Sequence, residues 1–282
     1  MQLQLRTRRL DLSAPVVMGV LNVTPDSFSD GGRFIATGVA VARGLEMAGE
    51  GAALLDVGGE STRPGAAPVA VDEELARVVP VIEALAAAGA PPVSIDTAKP
   101  EVMLAAARAG AEMINDVRAL RAPGALEAAA ASGCAVCLMH MQGEPRTMQA
   151  APAYTDVVEE VYGFLAARIE ACVAAGIEPA RIVVDPGFGF GKTLAHNLLL
   201  MKRLERFTAL GVPVLVGVSR KSMLGAVTGR PVEQRLAGGL ALAALAVSAG
   251  ARIIRSHDVA ATLDAAGMTA AVLAAHDGRE QG

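Results

Sequence analysis

The hydrophobic pattern of this chain repeats one unit: a short apolar run ends abruptly in polar residues, and an amphipathic stretch follows it. Such runs fit strands buried on both faces of a parallel sheet, and apolar residues at spacings of three and four between them fit packed helices. Strands are predicted at residues 15–21, 53–57, 92–95, 112–115, 134–139, 181–184, 213–218 and 252–256. Alternation in residues 2–12 predicts a β-hairpin before them. We therefore predict an α/β fold, a (β/α)8 TIM barrel with an N-terminal β-hairpin that plugs its base.

The length of 282 residues suits one such barrel, so we expect a single domain over residues 1–282. Hydrophobic residues make up 52% of the chain, which raises the question of a membrane span. The longest apolar stretch, residues 236–251, contains three glycines and is shorter than the about 20 residues that a span needs. It is predicted to be a core-facing helix. No small-residue cleavage site follows the N-terminal arginines, so we expect a cytoplasmic protein that does not bind a membrane.

Charge and residue counts exclude several further classes. The net charge is −4 and the chain has six Phe, two Tyr and no Trp, which argues against a nucleic-acid partner. Cys134 and Cys137 lie three apart in a predicted strand and point to opposite faces, so buried thiols are favoured over a metal or redox pair. The histidines show no zinc-binding spacing.

Polar residues end each predicted strand, and in a parallel barrel the carboxyl ends of all eight strands meet at one rim. Side chains spread over more than 230 residues of sequence are therefore expected to share one pocket. The polar ends are Asn22, Gly58 to Arg63, Asp96, Asn115, Met139 to His140, Asp185, Ser219 to Ser222 and Arg255 to His257.

Some of these positions have plainer interpretations. Asp96 stands ahead of Pro100 and is a candidate helix cap. Asn115 and Asp116 are candidate turn residues. Residues 185–193 look like a phosphate-binding loop, but Pro186 stands where the GxxxxGK[ST] pattern needs its first glycine, so a nucleotide cradle is excluded.

The loops add a second group of polar residues. Residues 22–32 lack periodicity and are predicted to form a mobile lid, with a plain solvent loop as the alternative. The glycine-rich loop after the second strand places Arg63 among hydroxyls, which suits a phosphate. A short extra helix is predicted from Ser222 to Gly229, before the main helix at Glu233, and its first turn offers backbone donors to an anion. Arg255 and His257 are predicted on one face, where they suit an oxyanion.

The predicted pocket therefore has two chemically different halves. Its middle holds two carboxylates, an amide and a lysine, and fixed carboxylates suit a flat heterocycle with a guanidine-like edge because they accept parallel N–H bonds. The lysine suits a carbonyl oxygen of that heterocycle. The rim, rich in hydroxyl groups with arginine and histidine, suits pyrophosphate.

The motifs resemble those of the dihydropteroate synthases of folate biosynthesis over nearly the whole chain. The matching segments are NVTPDSFSDGG at 22–32, GGESTRPG at 58–65, DT at 96–97, IND at 114–116, MHMQG at 139–143, DPGFGFGK at 185–192, SRKS at 219–222 and RSHD at 255–258. Ser256 stands where a larger apolar residue is common in the family, and we expect it to point away from the site.

The resemblance implies a transferase that condenses 6-hydroxymethyl-7,8-dihydropterin pyrophosphate with 4-aminobenzoate to give 7,8-dihydropteroate and pyrophosphate. It also implies Mg²⁺, commonly a homodimer, and competition by sulfonamides at the aminobenzoate site. The order that we expect is departure of pyrophosphate to a pterin cation, followed by attack of the amine. The loops at residues 23–35 and 60–68 are expected to order once pyrophosphate and Mg²⁺ are held, so that aminobenzoate binds second.

The resemblance also assigns roles to individual positions. The pterin-binding residues are Asp96, Asn115, Met139, Asp185, Phe190, Lys221 and Arg255. The pyrophosphate-binding residues are Asn22, Thr62, Arg63, Arg255 and His257, with Asn22 also at Mg²⁺. The aminobenzoate-binding residues are Phe28, Thr62, Pro64, Lys221 and Ser222. The catalytic residues are Asp96, Asp185, Lys221, Arg63, Arg255 and His257.

Two alternatives remain at this point. A pterin-binding barrel methyltransferase that moves a methyl group from methyltetrahydrofolate to a corrinoid would share the carboxylate and amide floor. It would not need residues 62–64 or 219–222, which this chain has. A non-catalytic paralogue that binds pterin or serves as a partner subunit is the second alternative, and the intact rim residues argue against it.

Overall fold

The computed structural model describes residues 1–23, 33–61, 67–144 and 147–275. In this part of the chain an antiparallel hairpin precedes eight parallel strands that alternate with helices. The strands are β1 (Gln2–Gln4), β2 (Arg9–Asp11), β3 (Val16–Asn22), β4 (Leu54–Gly58), β5 (Val93–Asp96), β6 (Met113–Asp116), β7 (Ala135–Met139), β8 (Ile182–Asp185), β9 (Leu215–Gly217) and β10 (Ile253–Ser256). The helices are α1 (Arg33–Gly49), α2 (Val71–Ala87), α3 (Pro100–Ala109), α4 (Ala125–Ser132), α5 (Val157–Ala174), α6 (Leu194–Lys202), α7 (Ser222–Thr228), α8 (Leu236–Ser248) and α9 (Val259–Ala274).

The parallel strands form a nearly closed barrel. Their order is β8-β7-β6-β5-β4-β3-β10-β9. An isolated parallel bridge between Val184 and Val214 links the two ends of that order. The predicted TIM-barrel fold with its N-terminal hairpin is therefore confirmed.

The strand boundaries differ from the prediction in an informative way. Each barrel strand begins one or two residues later than predicted, and several end one residue later, so that Asn22, Asp96 and Asp185 are the last residues of strands. Their backbones still pair with neighbouring strands, as in the register of Asp96 with Asn115. The sheet therefore fixes the backbone beneath these polar side chains, which loops would not do as rigidly.

The lower part of the barrel is apolar and is closed by the hairpin. Leu3, Leu5 and Leu12 are fully buried against side chains that point inward from the barrel strands. The inward side chains of this layer are Met18, Leu54, Met113, Ala135, Cys137, Val183, Leu215 and Ile253. The hairpin thus plugs the base as predicted, which leaves the carboxyl ends of the strands as the open face of the barrel.

The segment between β9 and β10 differs from the prediction in one respect. Helix α7 begins at Ser222 as predicted and is followed by Gly229, whose φ is 71°. The main helix begins at Leu236 and not at Glu233, because residues 232–234 form a separate 3₁₀ turn that follows Pro231. None of the helices in the described part of the chain has the length and hydropathy that a bilayer-spanning helix needs.

Candidate active site

The strand pleat brings the polar ends of the strands together inside the barrel. Alternate residues of a strand face the same side, so positions two residues above the apolar layer point into its upper half. The charged and amide residues placed there are Asp56 on β4, Asp96 on β5, Asn115 on β6, Asp185 on β8 and Arg255 on β10. The three predicted floor residues Asp96, Asn115 and Asp185 are all buried at this end.

A connected hydrogen-bond network joins four of these side chains. Arg255 donates from Nε to Asp56 Oδ2 over 2.6 Å and from Nη2 to Asp96 Oδ2 over 2.9 Å. Asn115 donates from Nδ2 to the same Asp56 oxygen over 2.9 Å. Arg255 was predicted to contact both the pterin and the pyrophosphate, and in this structure its guanidinium pairs with the acidic floor. One cation is thus shared by two carboxylates.

Asp56 is the site residue that the sequence analysis did not select. It is fully buried, and it lies within the apolar run Leu54 to Gly58. A buried aspartate is rare unless it is paired, so an acidic residue inside an otherwise apolar strand was the available signal. Its partner Arg255 is 199 residues away in sequence and becomes a neighbour only when the barrel closes.

The pKa of the Asp96 carboxyl is raised in the folded protein. Burial raises the pKa of Asp96 to about 7, with a further increase from Asp56 and an opposing effect of Arg255. Burial disfavours the charge of Arg255, but Asp56 and Asp96 outweigh it and raise the pKa of Arg255. The Oδ1 atoms of Asp56 and Asp96 are buried and have no hydrogen-bond partner among the described residues. Such acceptors suit a ligand that brings N–H donors.

Asp185 and Lys221 form the other side of the floor. Asp185 Oδ1 accepts a hydrogen bond from the backbone N–H of Gly187 over 2.7 Å. Burial raises the pKa of Asp185, and Lys221 opposes the shift. Lys221 donates to the carbonyl of Phe188, and its Nζ lies 4.6 Å from the ring centre of Phe190. Burial lowers the pKa of Lys221 to about 8, against the effect of Asp185.

The plainer interpretations of two floor residues are wrong. The N-cap of α3 is Lys99, and no side chain caps this helix, so Asp96 has no capping role. In the pair Asn115–Asp116 the turn role belongs to Asp116, which accepts hydrogen bonds from the backbone N–H groups of Arg118 and Leu120. Asn115 instead faces the barrel interior and joins the floor network.

The two predicted wall residues lie together. Met139 is buried in a small cluster with Val117, Met141 and Met148, and Phe190 packs against it. An apolar wall beside a polar floor suits a flat ring whose edges carry polar atoms. The thiols of Cys134 and Cys137 are buried in separate clusters, and both are free, as predicted.

Further polar residues lie above this floor, at the open end of the barrel, which we call the mouth. Asn22 ends β3, and a Cβ atom on Gly58 would lie 3.8 Å from Asn22 Oδ1 and from Asp96 Oδ2, so glycine leaves the space between them open. Ser219 Oγ lies 3.0 Å from Nδ1 of His257. Ser256 points away from the site, as predicted, and its hydroxyl contacts Thr262.

Helix α7 begins at Ser222, directly after Lys221, at the same mouth. Four predicted mouth residues, Phe28, Thr62, Arg63 and Pro64, lie outside the described residues. Most of the two loops predicted to close over the site lies outside them as well.

Comparison with known proteins gives a consistent result. The model of the pterin binding enzyme family matches residues 18–257. Dihydropteroate synthase from Escherichia coli is 53% identical over 270 residues, which is 96% of each chain.

Solved structures agree with the curated relatives. Yersinia pestis dihydropteroate synthase with a sulfonamide drug superposes with a TM-score of 0.93 at 51% identity, covering 98% of this chain and 100% of that one. Dihydropteroate synthase from Xanthomonas albilineans in complex with 7,8-dihydropteroate gives a TM-score of 0.89 at 53% identity, with coverage of 98% and 100%. These relatives are named as synthases, which does not support the methyltransferase alternative. The chain belongs to the dihydropteroate synthase family of pterin-binding enzymes.

Proposed function

We propose that this enzyme condenses 6-hydroxymethyl-7,8-dihydropterin pyrophosphate with 4-aminobenzoate, giving 7,8-dihydropteroate and pyrophosphate. The observation that carries the proposal is the buried floor, where Asp56, Asp96, Asn115 and Asp185 present acceptors beside Lys221. The relative from Xanthomonas albilineans that is bound to 7,8-dihydropteroate supports the same product.

The floor suits the pterin ring because its acceptors complement the amino and ring N–H groups. Asn115 donates its Nδ2 to Asp56, so its Oδ1 is left to accept from the ligand. Asp96 has a buried Oδ1 without a partner in the described part of the chain. Lys221 supplies a donor for the ring carbonyl, and Met139 and Phe190 cover the faces of the ring. A ligand without these donors would leave buried carboxylates unpaired, which costs about 1–3 kcal/mol for each group.

The proposed chemistry begins with departure of pyrophosphate. The bond between the exocyclic methylene carbon and the bridging oxygen breaks, and its electron pair goes to pyrophosphate. The carbocation that remains is shared with the dihydropterin nitrogen. Asp96 and Asp185 stabilise it, since a unit charge pair at 4 Å is worth about 4 kcal/mol at an effective dielectric near 20. The neutral aromatic amine then forms the C–N bond with its lone pair and loses a proton to solvent or pyrophosphate.

The mouth residues are proposed to hold the leaving group and the second substrate. Thr62, Arg63, Arg255 and His257 would bind pyrophosphate, and Ser219 supports His257 through its hydroxyl. The aminobenzoate pocket would be formed by Phe28, Thr62, Pro64, Lys221 and Ser222, with Ser222 and the start of α7 at the carboxylate. Closure of the two loops would exclude water from the reactive cation and make aminobenzoate the second substrate to bind.

We further propose that Asn22 helps to hold Mg²⁺. The described residues contain no group of three or more His, Cys, Asp or Glu side chains that suits a metal. The side-chain oxygen of Asn22 still fits Mg²⁺, because proteins often hold this ion by one or two oxygens together with waters and substrate phosphates. Asn22 Oδ1 lies at the mouth near Gly58 and Asp96. When bound, Mg²⁺ would neutralise charge on the departing pyrophosphate.

Two experiments test the reaction and its order. Purified protein should release pyrophosphate from dihydropterin pyrophosphate with Mg²⁺ only when 4-aminobenzoate is added. Absence of product would contradict the activity and favour a non-catalytic paralogue. For the order, the bridging oxygen is labelled with ¹⁸O and the amine is omitted. Scrambling of the label into non-bridging positions is expected, and its absence would favour direct displacement.

The assembly is a separate proposal. Helices α8 and α9 pack on each other and leave apolar side chains exposed, including Leu245 at 55%, Met268 at 67% and Val272 at 68%. We propose that these helices form the homodimer face, which sedimentation of the purified chain would test. The single-domain organisation and the cytoplasmic location stay predictions.

A further inference from the structure

The loop after strand β8 lies in close contact with the loop after strand β7. Gly187 and Gly191 have φ angles of 72° and 61°. A Cβ atom on Gly187 would overlap the carbonyl oxygen of His140, and one on Gly191 would overlap the carbonyl oxygen of Gln142. Glycine at these positions therefore allows two backbone segments to touch.

The side chain of Lys192 joins the two loops from inside the protein, where it is only 3% exposed. Its Nζ lies 2.9 Å from the carbonyl oxygen of Gly187 and 3.0 Å from that of Phe190, both in the loop after β8. The same Nζ lies 2.9 Å from Nδ1 and 3.3 Å from the carbonyl oxygen of His140, in the loop after β7.

These contacts favour the ammonium form of Lys192. An ammonium group has three N–H donors and no acceptor. The three carbonyl partners of this one are acceptors, and Nδ1 of His140 is an acceptor when the ring proton is on Nε2. Burial lowers the pKa of Lys192, and Asp185 opposes the effect. Burial also lowers the pKa of His140 to about 2, so this imidazole is neutral at physiological pH and its Nδ1 is able to accept.

The loop that Lys192 holds supports two groups of the pterin floor. The backbone N–H of Gly187 donates to Asp185 Oδ1 over 2.7 Å. The carbonyl of Phe188 accepts the hydrogen bond of Lys221. The orientation of both Asp185 and Lys221 therefore depends on the conformation of residues 187–191.

We propose that Lys192 is a positioning residue for the pterin site: it fixes the loop after β8 to the loop after β7, and through that loop it orients Asp185 and Lys221. Lys192 does not touch the substrate. The four acceptors around its amine leave no donor for a phosphate, although this lysine gives residues 185–193 their similarity to a phosphate-binding loop. The inference rests on the proposed function, because it concerns the same pterin floor.

The first test is the variant Lys192→Met, which keeps the length of the side chain and removes its donors. The dissociation constant for dihydropterin pyrophosphate is measured by calorimetry with Mg²⁺ and without aminobenzoate. It is expected to rise about tenfold or more, as for loss of a hydrogen bond to a charged group. Lys202→Met, at an exposed position at the end of α6, is the matched control and should bind like the wild type.

The pH profile of the same binding separates positioning from general support of the fold. Three positive charges lower the pKa of Asp185, those of Lys221, Lys192 and Arg255. The buried thiol of Cys137 also interacts with the carboxyl of Asp185. Removal of the Lys192 charge should therefore raise the pKa of Asp185 and move the part of the acid limb of pterin affinity that Asp185 causes to higher pH, whereas Lys202→Met should not. A folded Lys192→Met protein with unchanged affinity and an unchanged acid limb would overturn the proposal.

A second pair of variants decides the question if Lys192→Met does not fold. His140→Leu removes the Nδ1 acceptor, whereas His140→Asn retains an acceptor at a similar position. Weaker pterin binding by the leucine variant, restored in the asparagine variant, is expected, and equal affinities would overturn the proposal. The wild type is measured in the same series. Failure of the wild type to bind pterin would contradict the proposed function, whereas normal binding with no effect of the variants would contradict this inference alone.

Discussion

Asp56 accepts a hydrogen bond from the side-chain amide of Asn115 over 2.9 Å, and this bond determines which atom of Asn115 faces the cavity. With Nδ2 directed at Asp56, the carbonyl oxygen of Asn115 is presented to the ligand. The same carboxylate oxygen accepts a hydrogen bond from Arg255 over 2.6 Å. One buried aspartate therefore orients two groups of the floor.

Substitution of Asp56 should weaken pterin binding without enlarging the cavity. In Asp56→Asn the volume is nearly the same, but the charge that pairs with Arg255 is lost and the amide of Asn115 is no longer held in one orientation. We expect the dissociation constant for dihydropterin pyrophosphate to rise about tenfold, measured by calorimetry. Asp264→Asn, which changes an exposed aspartate on α9, is the control. Equal affinities of the two variants would contradict the positioning role of Asp56.

Pterin affinity should fall below neutral pH because Asp96 becomes protonated. Burial and the neighbouring Asp56 raise the pKa of Asp96 to about 7, against the effect of Arg255. Below that pH the carboxyl is neutral and accepts hydrogen bonds from the N–H groups of the pterin less strongly. A binding profile with an acid limb near pH 7 is expected for the wild type, and Asp96→Asn should remove the part of that limb that protonation of Asp96 causes. A profile that is level between pH 5 and 8 in the wild type would rule out this assignment.

The same carboxyl should lower the stability of the fold at neutral pH. The pKa of Asp96 is raised from 3.8 in the folded protein, so the folded state binds the proton more tightly than the unfolded state does. The contribution of Asp96 to stability therefore decreases as pH rises from about 4 to about 7. At pH 8 we expect Asp96→Asn to melt about 2–4 °C higher than the wild type, which corresponds to a gain of roughly 1 kcal/mol in the free energy of unfolding.

Calorimetric scans at two pH values check this prediction. The advantage of Asp96→Asn over the wild type should shrink at pH 5, where the wild-type carboxyl is largely protonated. An advantage that is equal at both pH values would show that some change other than loss of the titration stabilises the variant.

One arginine variant and one aspartate variant should separate the residues needed for turnover from those needed for pterin binding. Arg63→Ala, at the predicted pyrophosphate position, is expected to spare pterin binding but to remove most turnover. Asp185→Asn, in the floor, is expected to lose affinity directly because its buried carboxylate is proposed to accept hydrogen bonds from the pterin. Affinity is measured with a pterin that lacks pyrophosphate, and turnover by pyrophosphate release. A loss of pterin affinity in Arg63→Ala equal to its loss of rate would contradict the division between mouth and floor.

The sequence was sufficient to predict the barrel and most of the floor. Parallel strands place their carboxyl ends at one rim whatever connects them, so Asp96, Asn115 and Asp185 could be assigned to one cavity without knowing any contact. The predicted strand boundaries differ from the observed ones by one or two residues, because polar side chains at strand ends do not interrupt the backbone hydrogen bonds beneath them.

The role of Asp56 and the pairing of Arg255 with it could not be predicted in this way. Both depend on an ion pair between residues 199 apart in sequence, and apolar periodicity carries no information about such pairing. The role of Lys192 was missed for the same reason. The sequence pattern argued against a nucleotide cradle, but the contact between Lys192 and His140 requires two loops in close approach.

The hairpin at the base of the barrel has a consequence for the order of folding. Leu3, Leu5 and Leu12 are buried in a cluster that includes Ile253 of β10, near the other end of the described chain. During synthesis, when the N-terminal part of a chain emerges first, these leucines have no complete surface to dock on until β10 has left the ribosome. The hairpin strands β1 and β2 are made before the barrel strands but are therefore among the last to dock.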